Sequence, residues 1–365
     1  MTKKKILHII PGFGGGISSF TKNLACGSKG SNVINDVIGF SDYPEEYKRI
    51  FKEQEGECYK LPNIYISPLR FIETYLYVLR KDRYYAVHCH ISGFKGYVFK
   101  IIARMRGVRN IYTHAHRTSD EYQGWLCNIN QWITRYFSNC LSTKLFCCSQ
   151  MAADFIFGKN NNALFLPNSI DISKWDCNLR YIYNAKYRNE LNINKNSIVV
   201  GHIGRFNIQK NHRFIVDLIS KILLENRDYV FIFCGDGNLK SDILNYARQK
   251  DVIDNIRFVG FRDDINQLSL CFDLFILPSL YEGLPTVAVE MQAIGIPVFL
   301  ANTITTEVDL DLGLVQYLSL DLSNWVSKIL YNNVLPISDR SLIIKMISDK
   351  GFSVSELARI YSNLI

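Results

Sequence analysis

The sequence predicts an α/β protein made of two open, parallel-sheet domains. Three observations lead there. Short apolar runs alternate with helically spaced segments along most of the chain, as in consecutive β-α-β units. A glycine loop, Pro11 to Gly16, sits between the first apolar run and the first helical segment. The alternation then stops in a loop-rich, polar stretch and restarts at Ser197. A length of 365 residues agrees with two domains, at roughly 150 residues each.

Taken in order, Ile6 to Ile10 reads as a buried strand and Ile17 to Ala25 as the helix that follows its glycine loop. Further strands are expected at Tyr84–His90, Asn110–His116 and Lys144–Cys148. Helices are expected at Ser67–Lys81, Gly96–Arg106 and Glu121–Asn139. Loop signals begin at Leu166 and a polar stretch covers Asn178 to Lys195, so the domains are expected to span 1–177 and 178–353. The second domain should hold strands at Ser197–Ile203, Tyr229–Cys234, Ile256–Val259, Leu274–Leu277 and Pro297–Leu300. Val354 to Ile365 has a leucine–isoleucine helical face able to pack on either domain.

Composition narrows the function classes. Hydrophobic residues make up 48% and charged residues 21%, which argues against disorder. No run approaches the roughly 18 apolar residues of a membrane span. The net charge of +8 is uneven: residues 1–200 carry +12 and residues 201–365 carry −4. A basic half suggests an anionic partner. No nucleic-acid-binding motif accompanies it, so no nucleic-acid partner is expected. Ten cysteines without a C-x-x-C pair fit reduced thiols and a cytoplasmic protein.

The strongest local signal is Tyr281-Glu-Gly-Leu-Pro-Thr-Val-Ala-Val-Glu290. Pro285 suits the first turn of a helix, and Thr286 follows at a helix N-terminus, where free N–H groups suit phosphate. Glu282 and Glu290 would lie about 12 Å apart on a continuous helix. That exceeds the roughly 5 Å of a retaining glycosidase pair, so they are expected to touch different parts of one extended ligand. A second signal is Gly201-His-Ile-Gly-Arg-Phe-Asn-Ile-Gln-Lys-Asn-His212, where Arg205 and Lys210 follow a strand. Two loop cations suit a diphosphate. Gly235 and Gly237 follow another strand and allow close backbone approach.

Gly12-Phe-Gly-Gly-Gly16 is not a dinucleotide fingerprint, because Ile17 occupies the last glycine position. The pairs His88-x-His90 and His114-x-His116 each face one side of a strand end. The residues alone leave open a metal, a substrate hydrogen bond or a core role for them. His202 and His212 read as structural, and Asp309-Leu-Asp311 as an acidic triplet remote from any glycine loop.

Together these segments resemble the GT-B glycosyltransferases, specifically retaining family 4 and its capsule, exopolysaccharide and O-antigen assembly members. Glu282-Gly-Leu-Pro through Glu290 is similar to the family's E-x7-E motif, and Gly204-Arg-Phe with Gln209-Lys-Asn-His212 to its diphosphate-binding segment. Gly235-Asp-Gly237, Val259-Gly-Phe-Arg262 and Leu277-Pro-Ser-Leu-Tyr-Glu282 follow in order. Gly14-Gly-Gly-Ile17, His114-Ala-His116 and Leu166-Pro-Asn168 match its N-terminal domain.

The resemblance implies two Rossmann-like domains about a cleft, with the last helix, 354–365, crossing back to the first domain. It implies a metal-independent hexosyltransferase with no cofactor and a nucleotide-sugar co-substrate, UDP-linked by preference. Gly204, Arg205, Lys210, Gly235, Arg262, Glu282, Gly283, Leu284, Pro285, Thr286 and Glu290 would bind the donor. Gly14, Gly15, Gly16, His116 and Asn168 would bind the acceptor. His116, Glu282, Arg205 and Lys210 would be catalytic. Front-face attack is favoured, since no carboxylate is placed as a nucleophile. A polyprenyl-diphosphate-linked acceptor and an anionic membrane surface would account for the basic half, with Ile66 to Tyr85 either an interfacial helix or a surface helix with a buried aromatic face. A GT-B nucleotide-sugar epimerase, a non-catalytic sugar-nucleotide binding protein and a nicotinamide-dependent dehydrogenase are the competing readings.

Overall fold

A computed structural model describes residues 3–119 and 125–365, with backbone alone for 125–130. The first part of the expected Glu121–Asn139 helix lies outside the described residues; its described part runs Trp125–Leu141. The chain divides into two units, Met1–Ile170 with Gly351–Ile365, and Asp171–Lys350. The division falls before residue 177 because the 3-10 turns at 172–174 and 177–179 are tied to the later segment. Arg340 donates to the carbonyls of Trp175 and Ile172, and Cys177 to that of Ser338.

The first unit is built on seven parallel strands: β1 (Lys4–Ile9), β2 (Val33–Gly39), β3 (Cys58–Lys60), β4 (Ala86–Cys89), β5 (Asn110–Ala115), β6 (Lys144–Cys147) and β7 (Leu164–Phe165). Their order is β3-β2-β1-β4-β5-β6-β7. The second unit has six parallel strands: β8 (Ile198–Ile203), β9 (Tyr229–Cys234), β10 (Ile256–Gly260), β11 (Leu274–Leu277), β12 (Val298–Ala301) and β13 (Val315–Leu318). Their order is β10-β9-β8-β11-β12-β13. Both sheets are covered on both faces, so most strands are near-continuous apolar runs. All six residues of β9 and all four of β11 are buried.

Each order reverses once, between β1 and β4 and again between β8 and β11. In open α/β sheets such switch points leave a crevice at the carboxyl ends of the strands. The loops after β1, β4 and β5, and those after β8, β9 and β11, are thereby placed where ligands bind. Those loops carry most of the expected site residues.

Strands β2, β3, β7 and β13 and the helix within the polar stretch were not among the expected elements, and β2 and that helix show why. β2, Val33-Ile-Asn-Asp-Val-Ile-Gly39, is buried throughout although it contains Asn35 and Asp36. Asp36 is compensated by the Tyr84 hydroxyl at 2.7 Å, the Glu57 N–H at 2.9 Å and the Lys5 ammonium at 3.2 Å. The polar stretch after 178 holds a helix, Arg180–Glu190, that buries Tyr187 and Arg188. Arg188 reaches Asp273 at 2.7 Å and the Ser197 carbonyl at 2.8 Å.

The last helix, Val354–Leu364, packs on helix Gly16–Gly27 within the first unit. Gly27 lies against the Val354 backbone, where a side chain would collide. Ser353 caps the helix by accepting from the Glu356 N–H, and Tyr361 is fully buried. Helix Pro68–Lys81 buries Phe71 and Tyr75, while Leu69, Ile72 and Tyr77 remain exposed. Among the described residues no helix is long and apolar enough to cross a membrane.

Candidate functional sites in the two units

In the second unit, β8 ends at Ile203 and delivers Gly204 and Arg205 into the loop. β9 ends at Cys234, and Gly235 follows with φ +134. A Cβ on Gly235 would collide with the Gly204 carbonyl, so the two loops meet backbone to backbone. A Cβ on Gly204 would come within 2.9 Å of Lys210, whose aliphatic stem lies over that glycine. Lys210 closes a 3-10 turn, Ile208–Lys210, which Asn207 caps by accepting from the Lys210 N–H.

Glu282 arrives from the loop after β11. Its carboxylate pairs with the Lys210 ammonium at 2.6 Å and accepts from Gln209 Nε2 at 3.1 Å. Gln209 also holds this loop through the Tyr281 carbonyl at 3.0 Å, and its own carbonyl accepts from the Leu280 N–H at 2.8 Å. Lys210 and Glu282 are both well shielded, with side-chain exposures of 15% and 8%. Lys210 is therefore neutralised by a carboxylate, where the sequence reading treated it as an available cation. Arg205 is exposed and makes no ion pair among the described residues.

Past Gly283 and Leu284, Pro285 occupies the N-cap of helix Thr286–Ala293. The first-turn amides of a helix lack intrahelical partners, so this end is electropositive. Glu290 sits one turn further, and burial pushes its carboxyl up to about 7. The loop ends of β8, β9 and β10 enclose a cavity of about 420 Å³, lined by Gly204, Arg205, Gly235, Asp236, Phe261 and Arg262 among others. Arg262 is held there by Asp264 at 2.7 Å and Glu190 at 2.8 Å, with its guanidinium 5.5 Å from the Tyr187 ring centroid. These fixed carboxylates leave it a positioned wall of the cavity. Asp309 and Asp311 form a turn remote from this cavity, with Asp311 paired to Lys350.

In the first unit, Gly14 and Gly15 adopt φ +96 and +101 with open space around them. Gly16 begins helix Gly16–Gly27 and lies against Asn168, whose Oδ1 is buried without a partner among the described residues. His88, His90, His114 and His116 share one sheet face with His8, which sequence reasoning did not single out. β1 and β4 set His8 opposite His88, and the i, i+2 spacing does the rest. The rings stack against one another, against Phe20 and, at His8 and His88, against Tyr361.

Burial holds all five imidazoles neutral; His8 falls to about 4 and His116 to about 3. His116 and His90 line a cavity of about 220 Å³ together with Pro11, Ile17, Ser92 and Arg117.

Two trios, His8/His88/His90 and His90/His114/His116, bring ring nitrogens within 4.8 Å of one another. Two imidazoles on one tetrahedral zinc would hold their nitrogens roughly 3.3 Å apart. Here His90 Nδ1 lies 2.9 Å from His116 Nε2, and His8 Nδ1 lies 3.1 Å from His90 Nε2. Those separations are hydrogen-bond distances. His202 and His212 are buried ring contacts in the second unit, with His202 bonded to the Ile276 carbonyl.

Comparison with known proteins finds likeness to glycosyltransferases in the sequence of the second unit and along the chain. Residues 184–309 match the family described as Glycosyl transferases group 1, so the second unit carries a group 1 glycosyltransferase domain. A Bacillus subtilis (strain 168) protein named as glycosyltransferase EpsF is 29% identical over 97% of this chain and 94% of its own length. An Escherichia coli UDP-Gal:alpha-D-GlcNAc-diphosphoundecaprenol alpha-1,3-galactosyltransferase is 27% identical over 65% of this chain and 62% of its own. The structure of Anabaena Alr3699/HepE in complex with UDP-glucose superposes with a TM-score of 0.77 at 19% identity, covering 99% of this chain and 98% of that one. A Rickettsia africae ESF-5 glycosyltransferase gives 0.80 at 15% identity, over 100% and 98%. These structural likenesses establish the fold: two Rossmann-like parallel-sheet domains of GT-B type.

Proposed function

We propose that this protein is a retaining glycosyltransferase that moves a sugar from a UDP-sugar to a growing, polyprenyl-diphosphate-linked surface polysaccharide. One observation carries the donor half. The loops after β8 and β11, the two strands at the switch point of the second sheet, carry an exposed Arg205, the Lys210–Glu282 pair and the helix N-terminus at Thr286, and Arg205 and the Gly204 beneath Lys210 line a 420 Å³ cavity. Breaking the sugar–phosphate bond builds negative charge on the departing diphosphate. Preorganised cations and amides are the groups that stabilise such charge. Glu290 accepts hydrogen bonds from the ribose hydroxyls. The cavity bounded by Phe261 and Arg262 receives the base.

UDP is favoured because the E. coli relative is named for UDP-Gal. That same name, with its diphosphoundecaprenol acceptor, supports a lipid-linked acceptor and work at the inner face of the membrane. The basic first half and exposed Leu69, Ile72 and Tyr77 suit a protein held peripherally on anionic lipid. The glycine loop at Gly14 to Gly16, with Asn168 and His116, is the acceptor-side surface. Arg205, Lys210 and the helix end do the electrostatic work without a metal, and the donor phosphate takes the acceptor's proton in a front-face attack.

The test is thermal stabilisation by UDP, GDP, ADP and NAD with a chelator present. A ligand at about 100 times its Kd adds roughly 2.7 kcal/mol. UDP should stabilise the protein, and Arg205→Ala with Lys210→Ala should abolish the shift. Stabilisation by NAD alone, or by no nucleotide, would overturn the reading.

A further inference from the structure

The histidine chain in the first unit has a direction, and its buried end sets it. The Asn35 N–H donates to Gln54 Oε1 at 2.8 Å, and Gln54 Nε2 donates to the Asn35 carbonyl. A backbone N–H and C=O cannot exchange roles, so the Gln54 amide has one orientation. Its Oε1 then faces Asn35 Nδ2 at 3.5 Å, which turns Asn35 Oδ1 toward His8. Asn35 and Gln54 are both buried.

Each later step follows from the one before. Asn35 Oδ1 lies 3.0 Å from His8 Nε2, and an amide oxygen only accepts. His8 therefore carries its proton on Nε2. In a neutral ring Nδ1 is then a lone pair, so His90 Nε2, 3.1 Å away, supplies the proton between them. His90 Nδ1 is in turn a lone pair, and His116 Nε2, 2.9 Å away, supplies the next proton. His116 is left with a bare Nδ1. That atom is buried and has no partner among the described residues.

We propose that Asn35, His8 and His90 are positioning residues that lock His116 in the Nε2–H tautomer. His116 Nδ1 is thereby a fixed acceptor for a hydroxyl of the sugar ligand at the 220 Å³ cavity. The identity of that ligand rests on the functional reading above; the tautomer does not.

The chain ends on a neutral amide. In a carboxylate–histidine pair the carboxylate stabilises the imidazolium that forms. Nothing here does so. Asp36, next in sequence to Asn35, is engaged with Tyr84, Lys5 and the Glu57 N–H. His88 and His114 stack beside His90 with ring centroids at 4.4 and 5.2 Å. Tyr361 bonds His88, and Phe20 covers His90, His114 and His116. The arrangement suits accepting a hydrogen bond and opposes holding a proton.

The experiment is a long-range ¹H–¹⁵N correlation spectrum of ligand-free, ¹⁵N-histidine-labelled protein, assigned through single histidine variants. His8, His90 and His116 should each show Nε2 protonated and Nδ1 bare. His116 found with Nδ1 protonated, or as a mixture, would overturn the proposal on the wild-type spectrum alone, however the variants fold.

His90→Asn keeps an acceptor near the Nδ1 position, and His90→Leu removes it. His90→Asn should retain the His116 tautomer and UDP-glucose or UDP-galactose turnover within about threefold of wild type. His90→Leu should release the tautomer and lose at least tenfold in turnover at unchanged KM. Equal tautomers and equal turnover in the two variants would also overturn the positioning role. The expected tautomers without turnover of any UDP-sugar would uphold the relay and refute the functional reading.

Discussion

Glu290 is the residue whose titration speaks most directly to function. Its carboxyl is raised from 4.5 to about 7 by burial. The folded state thus binds a proton that the unfolded state releases between pH 4.5 and 7, and stability falls as pH rises through that window. At pH 8 the ionised form costs about 3 kcal/mol, which Glu290→Gln should recover in urea unfolding at pH 8 and not at pH 4.5. If Glu290 binds the ribose as a carboxylate, UDP affinity in the wild type should rise with pH through about 7. Titration calorimetry at pH 6 and pH 8 reads this, and in Glu290→Gln the affinity should be lower and flat with pH.

Lys210 and Glu282 make a second pair of tests. Lys210→Ala leaves a shielded carboxylate with Gln209 still donating to it. The loss should be about 2 kcal/mol, below the cost of a wholly abandoned buried charge. Adding Glu282→Gln to Lys210→Ala should recover most of that stability while leaving UDP binding absent. Denaturant midpoints of the two single variants and the double variant give the coupling directly.

At the scale of elements, what was legible depended on how uniform each segment is. β9 and β11 are unbroken apolar runs, and their observed limits are those expected from sequence. β2 was not, because Asn35 and Asp36 interrupt the run with polar groups that only tertiary partners satisfy. Helix Arg180–Glu190 was read only as part of a polar stretch, since its buried side comes from an aromatic and an arginine. Arg205, Lys210 and Glu282 were visible as residue types in glycine-bounded loops. The Lys210–Glu282 pairing was not, because it depends on β8 lying beside β11 across 72 residues of sequence. His8 was missed for a related reason: one histidine in an apolar strand gains meaning only when β4 is set beside it.

Gly235 shows how tightly such loops are specified. It combines φ +134 with contact against the Gly204 carbonyl, and either alone excludes a side chain. Gly235→Ala should cost about 2–4 kcal/mol, measured as a lower urea midpoint. The displaced Gly204–Arg205 backbone should also weaken UDP binding at least tenfold.

At the scale of the whole molecule, the histidines are divided unequally: five in the first unit and two in the second. Every one is held neutral by burial, below the ordinary histidine value of 6.5. The unfolded chain therefore binds more protons as pH falls below 6.5, and stability is lost on acidification. At pH 5 each imidazole kept neutral costs about 2 kcal/mol relative to neutral pH. Five such costs are comparable to the entire stability of a domain, about 5–15 kcal/mol. Asp36, raised by burial, offsets a part of this in the first unit.

The second unit carries two such costs, and Glu290, protonated at pH 5, returns about as much as one of them. Acid should therefore unfold the first unit and spare the second. Calorimetry at pH 5 should resolve two transitions, the lower one from the first unit, and UDP should raise only the upper one. At pH 8 the lower transition should move up, and His8→Gln with His88→Gln should make it less sensitive to acid. Equal displacement of both transitions between pH 8 and pH 5 would show that the buried imidazoles do not govern the acid response.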